Sequence, residues 1–296
     1  MSAIRETRGD RAVGIINGIL LTVFLLIILL PLIHILAASF SDPMLVANGN
    51  VFLIPKGLSL TGYKYVLSDQ SIMTGYRNTM LYTVAGTVIN LLLTLPAAYA
   101  LSCKTLPFRR ILMGYMLFTM YFHGGMIPTY LLVKNMKLLD TWWILLLING
   151  VSTYNLIVAR TFFSNGVPQD LVEAAMIDGC SRTRSFIFII LPLSKALIGV
   201  LTLYYGVAHW NSWFSAMLYL SDSNKFPLQL VLRAILNEAQ SILYSDGLED
   251  TASEHLRIAQ LVKYCAIVVS SVPVMVLYPF LQKYFDKGVM LGSVKG

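Results

Sequence analysis

The amino-acid sequence predicts an all-α protein that crosses a membrane six times. Only 12% of its 296 residues are charged and 56% are hydrophobic, whereas a soluble domain carries about 25% charged residues. In addition, six long stretches contain no Asp, Glu, Lys or Arg. Each approaches or exceeds the roughly 20 apolar residues that a helix needs to cross the hydrocarbon core. Too few charges remain to cover a surface that faces water on every side.

The six predicted spans are rich in Leu, Ile, Val, Ala, Phe and Tyr. They cover approximately residues 13–38, 79–103, 111–133, 141–160, 196–220 and 262–283. We therefore predict one transmembrane domain, 1–296, with segment 164–195 on one side of the membrane and segments 39–77 and 221–261 on the other. The first apolar run is too long for the core of a cleaved signal, and no clear small-x-small site follows it. We expect it to be retained as a helix.

The distribution of Lys and Arg predicts the orientation, because cytoplasmic segments of membrane proteins carry an excess of basic residues. If the N-terminus lies inside, the whole net charge of +7 falls on the inner side and the outer segments are balanced. Both termini and segment 164–195 are then cytoplasmic. Attraction to the membrane surface also explains the basic charge without any need for nucleic acid.

The sequence lacks the motifs that are typical of several classes of function. No GxxxxGK[ST] phosphate-binding loop occurs, so any ATP-driven process needs a partner that hydrolyses ATP. No HExxH, GxSxG or pair of carboxylates lies within a span. We therefore expect a chain that is not an enzyme and that binds no cofactor or metal itself. The cysteines and histidines are scattered along the chain, at Cys103, Cys180, Cys265, His34, His123, His209 and His255.

A short helix is predicted in the inner segment. Asp170 and Glu173 have the spacing of a capping box, and Gly179 can adopt the left-handed conformation that closes a helix. A helix of about two turns is marginal alone in water, so this one should dock on a partner. Ala174 and Ala175 lack bulk and would let another backbone approach closely. The whole candidate segment comprises Asp170, Leu171, Val172, Glu173, Ala174, Ala175, Met176, Ile177, Asp178 and Gly179.

This segment resembles the EAA loop of binding-protein-dependent ABC importers. The matching residues, in identity and spacing, are Glu173-Ala174-Ala175, Gly179, Ile189 and Leu191-Pro192. Other stretches are similar to the carbohydrate branch that contains the maltose-type permeases, namely Ser39 to Pro43, Pro55 to Gly57 with Tyr63, Asn78-Thr79 and Trp210-Asn211. The end of the chain, 278–296, resembles the sub-branch that moves oligosaccharides, including uronides and alginate.

The resemblance implies the type I ABC importer permease fold in a bacterial inner membrane. It implies a second, usually non-identical permease, two cytoplasmic subunits that bind ATP and Mg, a periplasmic or extracellular solute-binding protein, and a carbohydrate substrate moved by alternating access. The substrate is expected to be an oligosaccharide, and an acidic one such as alginate is a candidate. Glu173 would anchor the helix to an ATP-binding subunit and Gly179 would form its bend. Lys287, Gly288, Lys295 and Gly296 would make a second contact, unless this tail is simply held by anionic lipid.

Polar and aromatic residues inside spans are candidates to line the transport pathway, because polar groups are expensive in a bilayer. They are His123, Tyr205, His209, Trp210 and Asn211. Sugars stack their C–H faces on aromatic rings and bond their hydroxyls to amides and imidazoles. The alternatives are interfacial aromatic belts and hydrogen bonds that only join helices. Segments 39–77 and 221–261 are candidate docking surfaces for the solute-binding protein.

An ion-coupled secondary transporter is the alternative function. Such a protein usually carries a carboxylate inside the membrane to bind a proton or cation. None of the six predicted spans contains Asp or Glu.

Overall fold

A computed structural model of the chain describes residues 8–167, 169–244, 261–276 and 279. Within these ranges all regular secondary structure is helical, which confirms the predicted all-α class. The helices are α1 (Arg8–Ser39), α2 (Pro43–Ala47), α3 (Thr61–Ser68), α4 (Gln70–Ser102), α5 (Arg109–Tyr121), α6 (Met126–Asn135), α7 (Trp142–Leu147), α8 (Thr153–Asn165), α9 (Gln169–Ile177), α10 (Arg182–Ser185), α11 (Leu191–Leu193), α12 (Lys195–Trp210), α13 (Phe214–Tyr219), α14 (Leu228–Tyr244) and α15 (Leu261–Val276).

The chain divides into two compact units. Among the described residues, the N-terminal unit contains 8–69, 232–244 and 261–271, and the central unit contains 70–167, 169–231, 272–276 and 279. The short helix α9 and the cavities described below all belong to the central unit.

In the N-terminal unit, α1 is an apolar helix whose side chains are largely exposed, as expected of a helix that faces lipid. The turn that follows α1 is held by side chains of the Ser39 to Pro43 stretch. The Ser41 hydroxyl donates to the Ala37 carbonyl at 2.6 Å and accepts from the Lys56 N–H at 3.0 Å. The Asp42 carboxylate accepts from the Met44 N–H at 2.8 Å and caps α2. This stretch therefore has a structural role as a helix-to-loop turn.

The core of the central unit forms where α4 packs between α8 and α12. Ala98, Leu156, Ala159 and Leu201 are completely buried in this cluster. Small residues such as Ala98 and Ala159 let helix backbones approach closely, which is how helices associate in lipid.

The N-terminal half of α4 is fixed to the segment between α13 and α14. The Asn78 amide donates to the carbonyls of Asn224 and Phe226, and the Tyr82 hydroxyl donates to the Lys225 carbonyl at 2.9 Å. The Thr79 hydroxyl accepts from the Leu228 N–H at 2.8 Å. We call segment 221–228 the outer clasp, because the sequence predicts that it lies on the outer side.

A salt bridge joins the outer clasp to the loop before α7. The Lys225 ammonium lies 3.1 Å from the Asp140 carboxylate, which also accepts from the N–H groups of Asp222 and Ser221. These two backbone bonds and the bond from Lys225 hold the pKa of Asp140 below its usual range, and the bond to Asp140 raises the pKa of Lys225.

By length and apolar composition, α1 and α4 can each cross a membrane, and counting each bent helix pair as one span gives up to four among the described residues. The predicted span 111–133 is not one straight helix, because α5 and α6 meet at 111°. Gly125 has a φ of 88° at the start of α6, a conformation that favours glycine.

Other predicted spans are also interrupted. Residues 148–152 separate α7 from α8 within predicted span 141–160, and residues 211–213 separate α12 from α13 within 196–220. Segment 39–77, expected as a loop, contains α2, α3 and the first residues of α4. The helical stretch Arg182–Leu193 meets α12 at 82° and includes a π-helical turn, Phe186–Ile190. Pro192 lacks an N–H and cannot continue the regular hydrogen-bond ladder there.

Candidate functional site

The short helix predicted in the inner segment is present as α9. It begins at Gln169, so Asp170 lies within the first turn and not at the N-cap position that the predicted capping box requires. A carboxylate in the first turn still favours the helix, because it faces the positive end of the helix dipole. The carboxylate of Asp170 thus supports α9 through its charge and not as its cap.

The C-terminus of α9 closes as the sequence predicts. Gly179 has a φ of 79°, its N–H donates to the Met176 carbonyl at 3.0 Å, and the Cys180 N–H donates to the Ala175 carbonyl at 2.9 Å. This pair of bonds is a Schellman motif. A residue with a Cβ at position 179 would be strained in the left-handed conformation.

The surface of α9 is unusually apolar. Leu171, Met176 and Ile177 are 44%, 39% and 86% exposed, whereas Ala175 is 7% exposed. Of the two alanines expected to admit a partner's backbone, Ala174 is on the surface and Ala175 is buried. Glu173 and Asp178 are also exposed. The described part of α9 thus presents apolar side chains together with carboxylates.

The segment after α9 is attached to the membrane-facing helices by side-chain contacts. The Arg182 guanidinium donates to the Thr105 hydroxyl at 2.7 Å, just beyond the end of α4. Phe186 stacks on Tyr99 of α4 with ring centroids 4.9 Å apart, and Phe163 of α8 meets Tyr99 edge-on at 5.9 Å. A displacement of α9 can therefore be transmitted to α4 and α8 through packed aromatic rings.

A second candidate site is a cavity of about 510 Å³ between α7, α8 and α12. This volume lies within the range of small-molecule sites. Tyr154 and Tyr204 line it, with ring centroids 6.3 Å apart and 54% and 40% exposure. The remaining polar lining consists of amides, hydroxyls and one imidazole, from Asn149, Ser152, Asn155, Tyr205, His209, Ser212 and Ser215. No charged side chain is among the described lining residues.

His209 is held in this cavity by a buried asparagine of α4. The Asn90 amide nitrogen donates to the carbonyls of Asn149 and Gly150, both at 2.8 Å. Its amide oxygen must then accept from His209 Nε2, 2.7 Å away. The proton therefore lies on Nε2, which leaves Nδ1 of His209 as an acceptor for a ligand hydroxyl.

The imidazole of His209 fits because α4 has a glycine beside it. A Cβ added to Gly86 would lie only 2.4 Å from Nε2 of His209. The close approach of α4 and α12 at this point thus requires glycine.

Tyr205 is fixed in the same wall. Its hydroxyl accepts from the Ser152 N–H at 3.1 Å and shares a hydrogen bond of 2.7 Å with the Thr94 hydroxyl. Together, Asn90 and Thr94 of α4 position the polar groups that α7, α8 and α12 present to the cavity.

The other candidate pathway residues lie elsewhere. Trp210 lines a separate apolar groove of about 430 Å³ beside Thr87 and Val207, and meets Tyr76 edge-on. Asn211 is the C-cap residue that follows α12, and its side-chain amide donates to the Val207 carbonyl of that helix. His123 lies exposed in the break between α5 and α6. Lys287, Gly288, Lys295 and Gly296 fall outside the described residues.

Sequence reasoning missed Asn90 and Thr94 as organisers of the cavity. Their signal was available, since both are polar residues in the middle of predicted span 79–103. Both are completely buried, and their partners are 59 to 119 positions away in the sequence. Spacing along the chain cannot reveal such pairs.

The chain is similar to known transport proteins over nearly all its length. It is 42% identical to the polygalacturonan/rhamnogalacturonan transport system permease protein YtcP of Bacillus subtilis, covering 95% of this chain and 97% of that protein. It is 39% identical to the protein LplC of the same organism, covering 99% and 98%. A crystal structure of a bacterial ABC transporter involved in the import of the acidic polysaccharide alginate superposes with a TM-score of 0.86 at 33% identity, covering 96% of this chain and 100% of that one.

The family model for the binding-protein-dependent transport system inner membrane component matches residues 70–291. That range contains α9, the EAA-like residues and the walls of the cavity. The chain belongs to this family of ABC transporter permeases.

Proposed function

We propose that the chain is one permease subunit of a bacterial ABC importer that carries an oligosaccharide across the inner membrane. It crosses the membrane six times with both termini in the cytoplasm. The support for this topology is the run of uncharged stretches and the confinement of the +7 net charge to one side. The support for the importer is the family match and the shape of α9.

The observation that carries the proposal is the exposed apolar surface of α9 closed by Gly179. Such a surface is costly in water and suits a groove on an ATP-binding subunit. Movement of that subunit on binding ATP and Mg would shift α9, and the stacked rings of Phe186 and Tyr99 would pass the shift to α4. The spans would then alternate between inward-open and outward-open arrangements.

The cavity supports a sugar as the substrate. Two tyrosine rings offer surfaces for C–H faces, and amides, hydroxyls and Nδ1 of His209 offer partners for sugar hydroxyls. Similar proteins are named for polygalacturonan, rhamnogalacturonan and alginate, which favours an acidic oligosaccharide. Since the described cavity lining carries no charge, a sugar carboxylate would be recognised by the second permease or by the solute-binding protein.

The remaining partners follow from the same assignment. A second permease completes the pathway, and two ATP-binding subunits lie beneath it. A solute-binding protein docks on the outer side, with segments 39–77 and 221–261 as its candidate surface. The tail from Lys287 to Gly296 makes a second contact with the ATP-binding subunits.

Cross-linking tests the coupling role of α9. Ile177→Cys, in a chain whose Cys103 and Cys180 are replaced by Ser, should form a cross-link with an ATP-binding subunit in membranes, and ATP should change its yield. Ile187→Cys is the matched control, because Ile187 is exposed but lies beyond α9. Cross-linking from Ile187 alone would contradict the proposal.

Transport measurements test the coupling itself. Gly179→Pro cannot adopt a φ of 79°, because proline fixes φ near −65°. This variant, and Glu173→Lys, should remain in the membrane while sugar uptake is lost and ATP hydrolysis no longer responds to the loaded binding protein. If sugar uptake persists when the ATP-binding subunits are absent, the importer proposal is wrong and the alternative, an ion-coupled secondary transporter, is favoured.

A further inference from the structure

A polar pocket of about 440 Å³ lies at the end of the central unit that carries α9. It is formed by the C-terminus of α4, the loop between α4 and α5, the first residue of α5, and the last turns of α8. Its lining includes three cations, Lys104, Arg109 and Arg160. This pocket is distinct from the cavity between α7, α8 and α12, whose described lining residues are all neutral.

Among the described residues, none neutralises the cations of this pocket. Of the described residues, no Asp or Glu lines the pocket, and none of the three cations takes part in a salt bridge. Nε of Arg160 and the Ser164 hydroxyl are both buried and find no hydrogen-bond partner in the part of the chain that the structure describes. A buried donor that lacks a partner is costly, so the pocket is arranged for a ligand that accepts hydrogen bonds and carries negative charge.

The N-terminus of α5 adds to the positive potential. Its N-cap residue, Phe108, provides no side-chain cap, and the first N–H groups of a helix attract anions. With Arg109 at this position, the pocket presents guanidinium groups, hydroxyls and a helix end together. The charged oxygens of a phosphate group can accept hydrogen bonds from several of these donors at once.

The surroundings distinguish a lipid from a free phosphate. Phe108, Ile111 and Leu112 lie next to Arg109 and are 75%, 68% and 45% exposed. An acyl chain can lie along these side chains while the phosphate enters the pocket. The predicted orientation places the pocket at the inner leaflet, where basic pockets between helices bind anionic head groups.

We propose that this pocket binds the phosphate group of an anionic phospholipid of the inner leaflet. The bound head group bridges α4, α5 and α8 beside the Arg182 to Thr105 hydrogen bond, next to the segment that carries α9. The proposal does not depend on which sugar is transported.

Lipid binding to the delipidated importer complex tests the proposal, with phosphatidylglycerol, phosphatidylcholine and inorganic phosphate added in separate experiments and occupancy counted by native mass spectrometry. Phosphatidylglycerol should bind in preference to phosphatidylcholine. Arg109→Gln should weaken its binding about fivefold, and Arg109→Gln combined with Arg160→Gln about 25-fold, since each hydrogen bond donated to the bound phosphate contributes about 1 kcal/mol.

Arg110→Gln is the matched control, because Arg110 has the same charge and lies in the same turn of α5 but does not line the pocket. Lys104→Gln provides a second test at an exposed position where folding is not at risk, with a loss similar to that of Arg109→Gln. An equal loss in Arg110→Gln, or unchanged lipid occupancy in the double variant, would overturn the proposal. If the pocket binds inorganic phosphate but not phosphatidylglycerol, the lipid assignment is wrong. It is also wrong if the variants at Lys104, Arg109 or Arg160 lose the ATP-binding subunits from the complex but keep the bound lipid.

Discussion

Replacement of Asn90 by leucine tests whether the polar wall of the cavity depends on α4. The change keeps a side chain of similar size but removes the hydrogen bonds to the carbonyls of Asn149 and Gly150 and to His209. Hydrogen bonds between membrane helices contribute about 0.6 kcal/mol on average and at most about 1.7 kcal/mol each. The three together predict a loss of about 2 kcal/mol in the free energy of unfolding.

Transport should fall more than stability alone explains. Without Asn90, the loop that contains Asn149 and the imidazole of His209 lose the contacts that fix them in the cavity wall. We expect a higher half-saturating sugar concentration in uptake assays, even when the amount of folded protein in the membrane is matched.

Asn211→Leu is the control for this experiment. The Asn211 amide is exposed and bonds only within its own helix, so its removal should change the free energy of unfolding by less than about 0.5 kcal/mol. Unfolding can be followed by detergent titration and uptake with labelled oligosaccharide. Equal losses for the two variants, or normal uptake by Asn90→Leu, would refute the role assigned to Asn90.

Two further substitutions test other contacts. Gly86→Ala places a Cβ 2.4 Å from His209 Nε2 and should cost about 1–3 kcal/mol through overpacking, whereas Gly206→Ala meets nothing closer than 3.8 Å and should be tolerated; similar thermal stability of the two variants would contradict this. Because the pKa of Asp140 is lowered in the folded chain, its carboxylate stabilises the fold above the ordinary carboxyl pKa of about 3.9, and this contribution is lost as the pH falls through the lowered value. Asp140→Asn should lower the melting temperature at pH 7 and flatten its decline in acid, and a pH profile identical to that of the unchanged chain would count against a stabilising role for the contacts of Asp140 with Ser221, Asp222 and Lys225.

The helical class and the family were readable from the sequence because they depend on local properties. A helix that crosses lipid must be largely uncharged, and the uncharged stretches of the sequence identified α1 and α4. The spacing from Glu173 to Pro192 identified the segment around α9, and the left-handed Gly179 followed from the chemistry of helix ends. These features require no knowledge of which segments pack together.

The interruptions of the helices and the cavity were not readable in the same way. An uncharged run does not tell where a helix bends, so the breaks at 122–125 and 211–213 were missed, although Gly124 and Gly125 are a local signal for the first. The first residue of α9 differed from the prediction because helix ends are weakly specified by sequence. The pairing of Asn90 with His209 depends on the packing of α4 against α12, which no local pattern encodes.

The fastening of α4 at both of its ends has a consequence for signalling across the membrane. This helix has 33 residues and so spans about 50 Å. Near its N-terminus it holds the outer clasp, and near its C-terminus Tyr99 is stacked on Phe186. It can thus act as a strut, and a tilt of about 5° imposed at one end would carry the other end through about 4 Å. Under the proposed function, docking of a loaded binding protein outside and nucleotide binding inside would both act on the tilt of this one helix.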